Sequence, residues 1–111
     1  MGEIKFRAWY STGVEGVMLT PNFNGDINKI FAEKRAVYMQ YTGLKDKNGT
    51  DIYIGDIVQV NREATYEIYI NDFMQIPVID SELGQENLYQ VNRNCEVIGN
   101  IYENPELLEG K

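Results

Sequence analysis

Histidine is absent from this 111-residue chain, which removes the side chain that ordinarily moves protons near neutral pH and the commonest transition-metal ligand. Cysteine occurs once, at Cys95, so a structural zinc site lacks its thiolates and no intrachain disulfide can form. That fits a reducing compartment without requiring one. Neither a GK[ST] phosphate loop nor a GxGxxG fingerprint occurs, and the glycines of Gly43 to Gly49 lack the following helix that a phosphate cradle needs. Nucleotide hydrolysis is not expected, nor is any cofactor or metal. Apolar runs are a few residues long, far short of the ~20 that cross a bilayer. The opening residues, MGEIKFRAW, hold no apolar signal core, and Phe6 stands where a myristoylation signal after Gly2 wants Ser or Thr. A cytoplasmic protein with no membrane attachment is expected.

What is present suits one small globular domain spanning residues 1–111. Hydrophobic residues make up 43% and charged ones 24%, ordinary usage for a folded chain rather than a disordered one. A chain of this length buries roughly two-thirds of its unfolded surface, enough for a modest core. The net charge of −7 is unevenly placed, with the basic residues concentrated in the first half and the acidic ones in the second.

Period-two alternation dominates the pattern. Ile4, Phe6 and Ala8 alternate with Glu3, Lys5 and Arg7, as in a half-buried strand, and Val17-Met18-Leu19 is expected to return as its hairpin partner. Asp26 could cap a brief helix carrying Ile27, Ile30 and Phe31. Alternation resumes from Ala36 to Tyr41. The Lys45-Asp46-Lys47-Asn48-Gly49 segment then supplies residues that tolerate positive φ in a hairpin loop, with Asp51 to Ile54 pairing back. Gly55 and Asp56 mark a structural bend between that strand and Ile57 to Val60. Further strands are expected over Thr65 to Ile70 and Phe73 to Ile79, separated by a two-residue Asn71-Asp72 turn. Pro77 argues for an edge position in the second. Asp80 to Asn87 reads as a loop, Leu88 to Val91 as a short strand, and Cys95 to Tyr102 as a strand covered on both sides, with Gly99 at a close approach or bend. Asn104-Pro105-Glu106 opens a terminal helical turn that sets Leu107 and Leu108 against the core.

Chemistry-bearing residues are few. Asp51 with Asp56, or Asp80 with Glu82 and Glu86, could hold a hard cation or act as an acid/base pair, but neither spacing matches a calcium loop, and solvated turns explain both groups more simply. Asp56 better suits the capping of local amides at the bend. Cys95 lies in an apolar run and reads as a small buried hydrophobe. Lys45 and Lys47 fall near Tyr41 and Tyr53 on one hairpin, a combination that could stack the bases of a single strand. The net charge disfavours phosphate binding. Mimicry of DNA by the acidic second half is weaker still, because its acids are scattered through turns and strand exteriors.

Three segments together resemble a known family. They are Ile4-Lys5-Phe6-Arg7-Ala8-Trp9, the run from Met39 to Gly49 continuing through Ile52-Tyr53 and Gly55-Asp56-Ile57-Val58, and the run from Val97 to Leu108. In content and order they are similar to the YopX-like proteins of phages and prophages, over about two-fifths of the chain. Tyr10 and Ile54 depart from the pattern, standing where acidic residues are usual. The resemblance implies a small β-rich domain encoded in a mobile element of a Gram-positive bacterium, and it implies no reaction.

The expected fold is therefore mostly β: a small antiparallel, partly open SH3-like barrel or related β fold with one or two short helical turns. The expected function is that of a non-enzymatic binding or assembly module whose partners are proteins, copies of itself included. A nucleic-acid accessory role and a carboxylate- or metal-dependent enzyme are the alternatives. Arg7, Trp9, Tyr41, Lys45, Lys47 and Tyr53 are the candidate binding surface.

Overall fold

A computed structural model describes residues 5–11, 16–19 and 36–109. The brief helix expected after Asp26 lies outside them. Ten strands follow in order: β1 (Phe6–Ser11), β2 (Gly16–Leu19), β3 (Ala36–Lys45), β4 (Asp51–Tyr53), β5 (Asp56–Val60), β6 (Ala64–Glu67), β7 (Tyr69–Asn71), β8 (Ile76–Ser81), β9 (Gly84–Asn87) and β10 (Cys95–Asn100). They form three antiparallel sheets, ordered β2-β1-β3-β4, β10-β5-β6 and β7-β8-β9, one of them curled like half a barrel. Among the described residues one helical turn, α1 (Leu88–Val91), and 3-10 turns at Asn92–Asn94 and Pro105–Leu108 accompany the strands. The mostly β, partly open architecture matches the expectation from the sequence.

The first sheet forms where the alternation predicts, but the faces of β1 differ from the expectation: Phe6 is 47% exposed, while Arg7 of the expected polar face packs inward against Met39. Ala8 pairs with Leu19 and with Tyr38, placing β1 between β2 and β3. β3 and β4 form the expected hairpin, with Tyr41 opposite Tyr53 and a register shift before Lys45 meets Asp51.

The bend at Gly55 is where the chain leaves this sheet for the next. Gly55 has φ 96°, a region that L side chains avoid. A Cβ there would also press on Met39, 3.2 Å from its Sδ. A second corner lies against the first: Ile68, wholly buried, separates β6 from β7. The Gly55 N–H donates to Ile68 O at 2.8 Å, and the Ile68 N–H donates to Asp56 O at 2.8 Å. Two strands thus change sheets at one shared, hydrogen-bonded point, which wraps the sheets around a single interior. Ile52, Val58, Ile68, Ile79, Leu88 and Cys95 fill it. A smaller cluster of Met39, Tyr41 and Tyr53 packs against Trp9, Met18 and Tyr102 under the first sheet.

Besides the corner at Ile68, which divides the strand expected over Thr65 to Ile70 into β6 and β7, the second half departs from its pattern in four further places. The turn between β7 and β8 takes four residues, Asp72–Gln75, rather than two, leaving Phe73 and Met74 exposed. Asn71 opens it by accepting from the Met74 N–H through Oδ1 at 2.8 Å. Pro77 lies on a central strand. It pairs with Ile70 on one side, while the ladder to β9 starts only at Val78, so its missing N–H is tolerated. The stretch from Asp80 to Asn87 is a hairpin rather than a loop, with Ser81 paired to Gly84. Leu88 to Val91 is helical rather than extended because Asn87 caps it, its Oδ1 accepting from the Tyr89 N–H at 2.8 Å. Leu88 and Val91, three apart, then meet the same core.

Near the C-terminus Gly99 sits at a register shift against β5, and a Cβ on it would come 2.6 Å from Asn104 Oδ1. The terminal turn has Pro105 in its first positions, as expected. Asn104 does not cap it through its side chain, which accepts instead from the Asn100 N–H at 3.2 Å. Thr65 of β6 donates its hydroxyl to Leu107 O at 3.2 Å, fastening the turn to the second sheet.

Candidate functional site

The candidate surface assembles on one face of the first sheet, where alternation brings Lys5 and Arg7, Met39 and Tyr41, and Asp51 and Tyr53 to the same side. Tyr41 and Tyr53 form a tilted ring pair with centroids 5.6 Å apart. Both are buried, at 8% and 6% exposure. Each ring carries a cation over its face: Lys5 Nζ lies 4.5 Å from the Tyr41 centroid and the Arg7 guanidinium 4.5 Å from that of Tyr53. Trp9 stacks on Tyr102, with centroids 6.2 Å apart and planes 19° from parallel.

Carboxylates close the arrangement. Asp51 bridges two lysines, taking Lys5 Nζ at 2.7 Å on Oδ2 and Lys45 Nζ at 2.6 Å on Oδ1. The Lys45 and Lys5 hydrogen bonds hold its carboxyl below the ordinary value. Asp56 is fully buried. Its Oδ1 takes Arg7 Nη2 in an ion pair, and its Oδ2 accepts from the Tyr53 N–H at 2.8 Å. Burial raises the Asp56 pKa, with the Arg7 charge opposing. Arg7 also donates to Met39 Sδ at 3.6 Å, while its Nε is buried without an acceptor. Lys45 and Lys47 are exposed.

Asp56 therefore does cap an amide across the bend. Asp51 and Asp56 are each engaged by cations. The other acidic group is divided: Asp80 receives the Tyr69 hydroxyl at 2.6 Å and lines one hollow, while Glu82 and Glu86 line another. Among the described residues no three of His, Cys, Asp and Glu gather as a metal would require. Cys95 is fully buried, and its thiol donates to Val91 O at 3.2 Å. Burial pushes its pKa up to about 11, with Asp46 and Glu86 adding to the rise, so little thiolate exists at neutral pH.

Sequence reasoning passed over Asp46. It is buried, and accepts from the Asn48 and Thr50 N–H groups through Oδ1 at 2.8 and 2.9 Å and from the Val97 N–H through Oδ2 at 2.9 Å. The signal was available in an aspartate two residues ahead of Asn48-Gly49, the spacing of an Asx turn. Its bond to the distant β10 had none. Lys5 was also missed as a partner of Asp51.

The model of the YopX protein family matches residues 17–109. None of the curated proteins matches. Among solved structures, the chain is similar to the crystal structure of protein EF1440 from Enterococcus faecalis, with 27% identity and a TM-score of 0.62 over 98% of this chain and 100% of that one. Among the described residues no helix is long and apolar enough to cross a membrane. With a family match over most of its length and a neighbour aligned from end to end, the chain belongs to the YopX family.

Proposed function

We propose that this protein is a non-enzymatic binding or assembly module, encoded by a phage or prophage and working in the cytoplasm of the bacterial host. Its partners are other proteins, a second copy of itself among them. The observation that supports this most is how the charges are spent. Lys5, Arg7 and Lys45 are tied to Asp51 and Asp56, so the groups best placed to move protons or hold an ion neutralise one another. Meanwhile large apolar side chains stay in solvent: Phe73 and Leu83 are 95% and 96% exposed, and Phe6, Val17, Met74 and Tyr89 are also well exposed. Such groups suit contact with another macromolecule.

The test is affinity capture from bacterial lysate with and without nuclease. A protein retained in both samples supports the reading. Retention that vanishes with nuclease transfers it to nucleic acid, and an empty column at high load removes it.

A further inference from the structure

Beside β6 lies a hollow of about 280 Å³, lined by Thr65, Tyr66, Glu67, Tyr69, Asp80 and Leu108. Three segments of the chain build it. Thr65 and Glu67 share one face of β6. The Thr65 hydroxyl, donated to Leu107 O, ties the terminal turn with Leu108 beside that face. Asp80 comes from β8, where its Oδ1 accepts from the Tyr69 hydroxyl, which in turn accepts from Gln85 Nε2 at 2.7 Å.

Every charged side chain in this lining is an acid. Glu67 is half-buried and has no hydrogen-bond or ion-pair partner among the described residues; burial alone raises its pKa. Asp80 is met by a neutral hydroxyl and by no cation among the described residues. The terminal turn brings further acids, the exposed Glu106 and Glu109. From Glu63 to Gly110 the chain has a single basic residue, Arg93. Arg62 and Arg93 stand at the opposite end of the second sheet, where Asn61 bonds to Asn94 and Val60 lies between Ala64 and Cys95. Glu67 pairs with Ile57 at the near end, and Lys5, Arg7 and Lys45 are held by Asp51 and Asp56.

We propose that this hollow receives an arginine side chain of a partner protein, its guanidinium paired with the Glu67 and Asp80 carboxylates beside the Tyr69 ring. The proposal rests on the binding-module reading and supplies its surface. A carboxylate partly withdrawn from water without a partner gains when a cation is brought to it. Two carboxylates and an aromatic wall select the planar, forked guanidinium over an ammonium group. The volume is at the lower limit of the roughly 300 to 1,000 Å³ usual for small-molecule pockets, which fits one side chain of a macromolecule rather than a whole metabolite. A hard metal ion would ask for about six oxygens, and the phosphates of a nucleic acid would be repelled.

Chemical-shift mapping on the intact, isotopically labelled protein tests this, with a short glycine-serine peptide carrying one central arginine as the probe. Controls are the same peptide with citrulline, which keeps the shape and loses the charge, and with lysine. Expected at millimolar peptide are salt-sensitive shifts centred on Thr65 to Tyr69, Asp80 and Leu108, weaker with lysine and absent with citrulline. Affinity should fall about tenfold in Glu67→Gln and in Asp80→Asn. Thermal unfolding of Glu67→Gln should be no lower than that of the wild-type protein, because the charge it removes has no partner in the free protein. No shifts, shifts spread over the other acidic segments, equal effects of citrulline, or unchanged affinity in both variants would each overturn the proposal. So would displacement of the arginine peptide by magnesium beyond that caused by sodium chloride at equal ionic strength, which would assign the hollow to a metal ion. If the double variant Glu67→Gln with Asp80→Asn still captures the lysate partner of the wild-type protein, this hollow is not the docking surface while the binding-module reading stands.

Discussion

Arg7 and Asp56 show how a residue that looks functional in a sequence is spent on structure. A carboxylate taken wholly out of water loses several kcal/mol of hydration, which one guanidinium and one amide must offset. Asp51 is a milder case, partly exposed and held by Lys45 and Lys5. The two carboxyls respond to acid in opposite senses. A depressed folded pKa, as at Asp51, gives stability that is present above the ordinary value of 3.8 and is lost as pH falls through the folded value. A raised one, as at Asp56, favours the fold at low pH and is lost as pH rises through it. Urea unfolding of Asp51→Asn should therefore show lower stability at pH 7 and a shallower loss below pH 3.8 than the wild-type protein. An acid limb unchanged in the variant would show that Asp51 is not held below its ordinary value.

At the scale of elements, local alternation made β1 to β5 legible, along with the hairpin around Asn48-Gly49 and the bend at Gly55, because each is encoded within a few residues. What escaped depended on groups distant in sequence or on a competing local bond. The Asn87 side chain, two residues before Tyr89, turned Leu88 to Val91 into a helix against its β-like composition. Pro77 could sit centrally only because β9 starts pairing one residue later, which no local pattern reveals. The corner at Ile68 looked like an uninterrupted strand, since its partner is Gly55. That pairing makes Gly55→Ala informative. The left-handed φ and the contact with Met39 should together cost about 2 kcal/mol, read as a lower urea midpoint with unchanged slope. A variant within a few tenths of wild type would mean the corner accommodates a side chain.

For the whole molecule, composition and the resemblance to YopX-like proteins made the β class and the family legible, whereas the site was only half visible. Tyr41, Tyr53 and Trp9 did assemble as a group, but their rings pack into the second core cluster, and the nearby cations were consumed by carboxylates. If the face of β1, β3 and β4 is architecture, its charges must be coupled in stability. The most direct test is a urea double-mutant cycle on Arg7→Met and Asp56→Asn. Each single substitution should destabilise by about 3 kcal/mol, and the pair by clearly less than both together, because either change alone strands its partner. Singles near wild type, with simply additive effects, would mean these charges are held for another purpose.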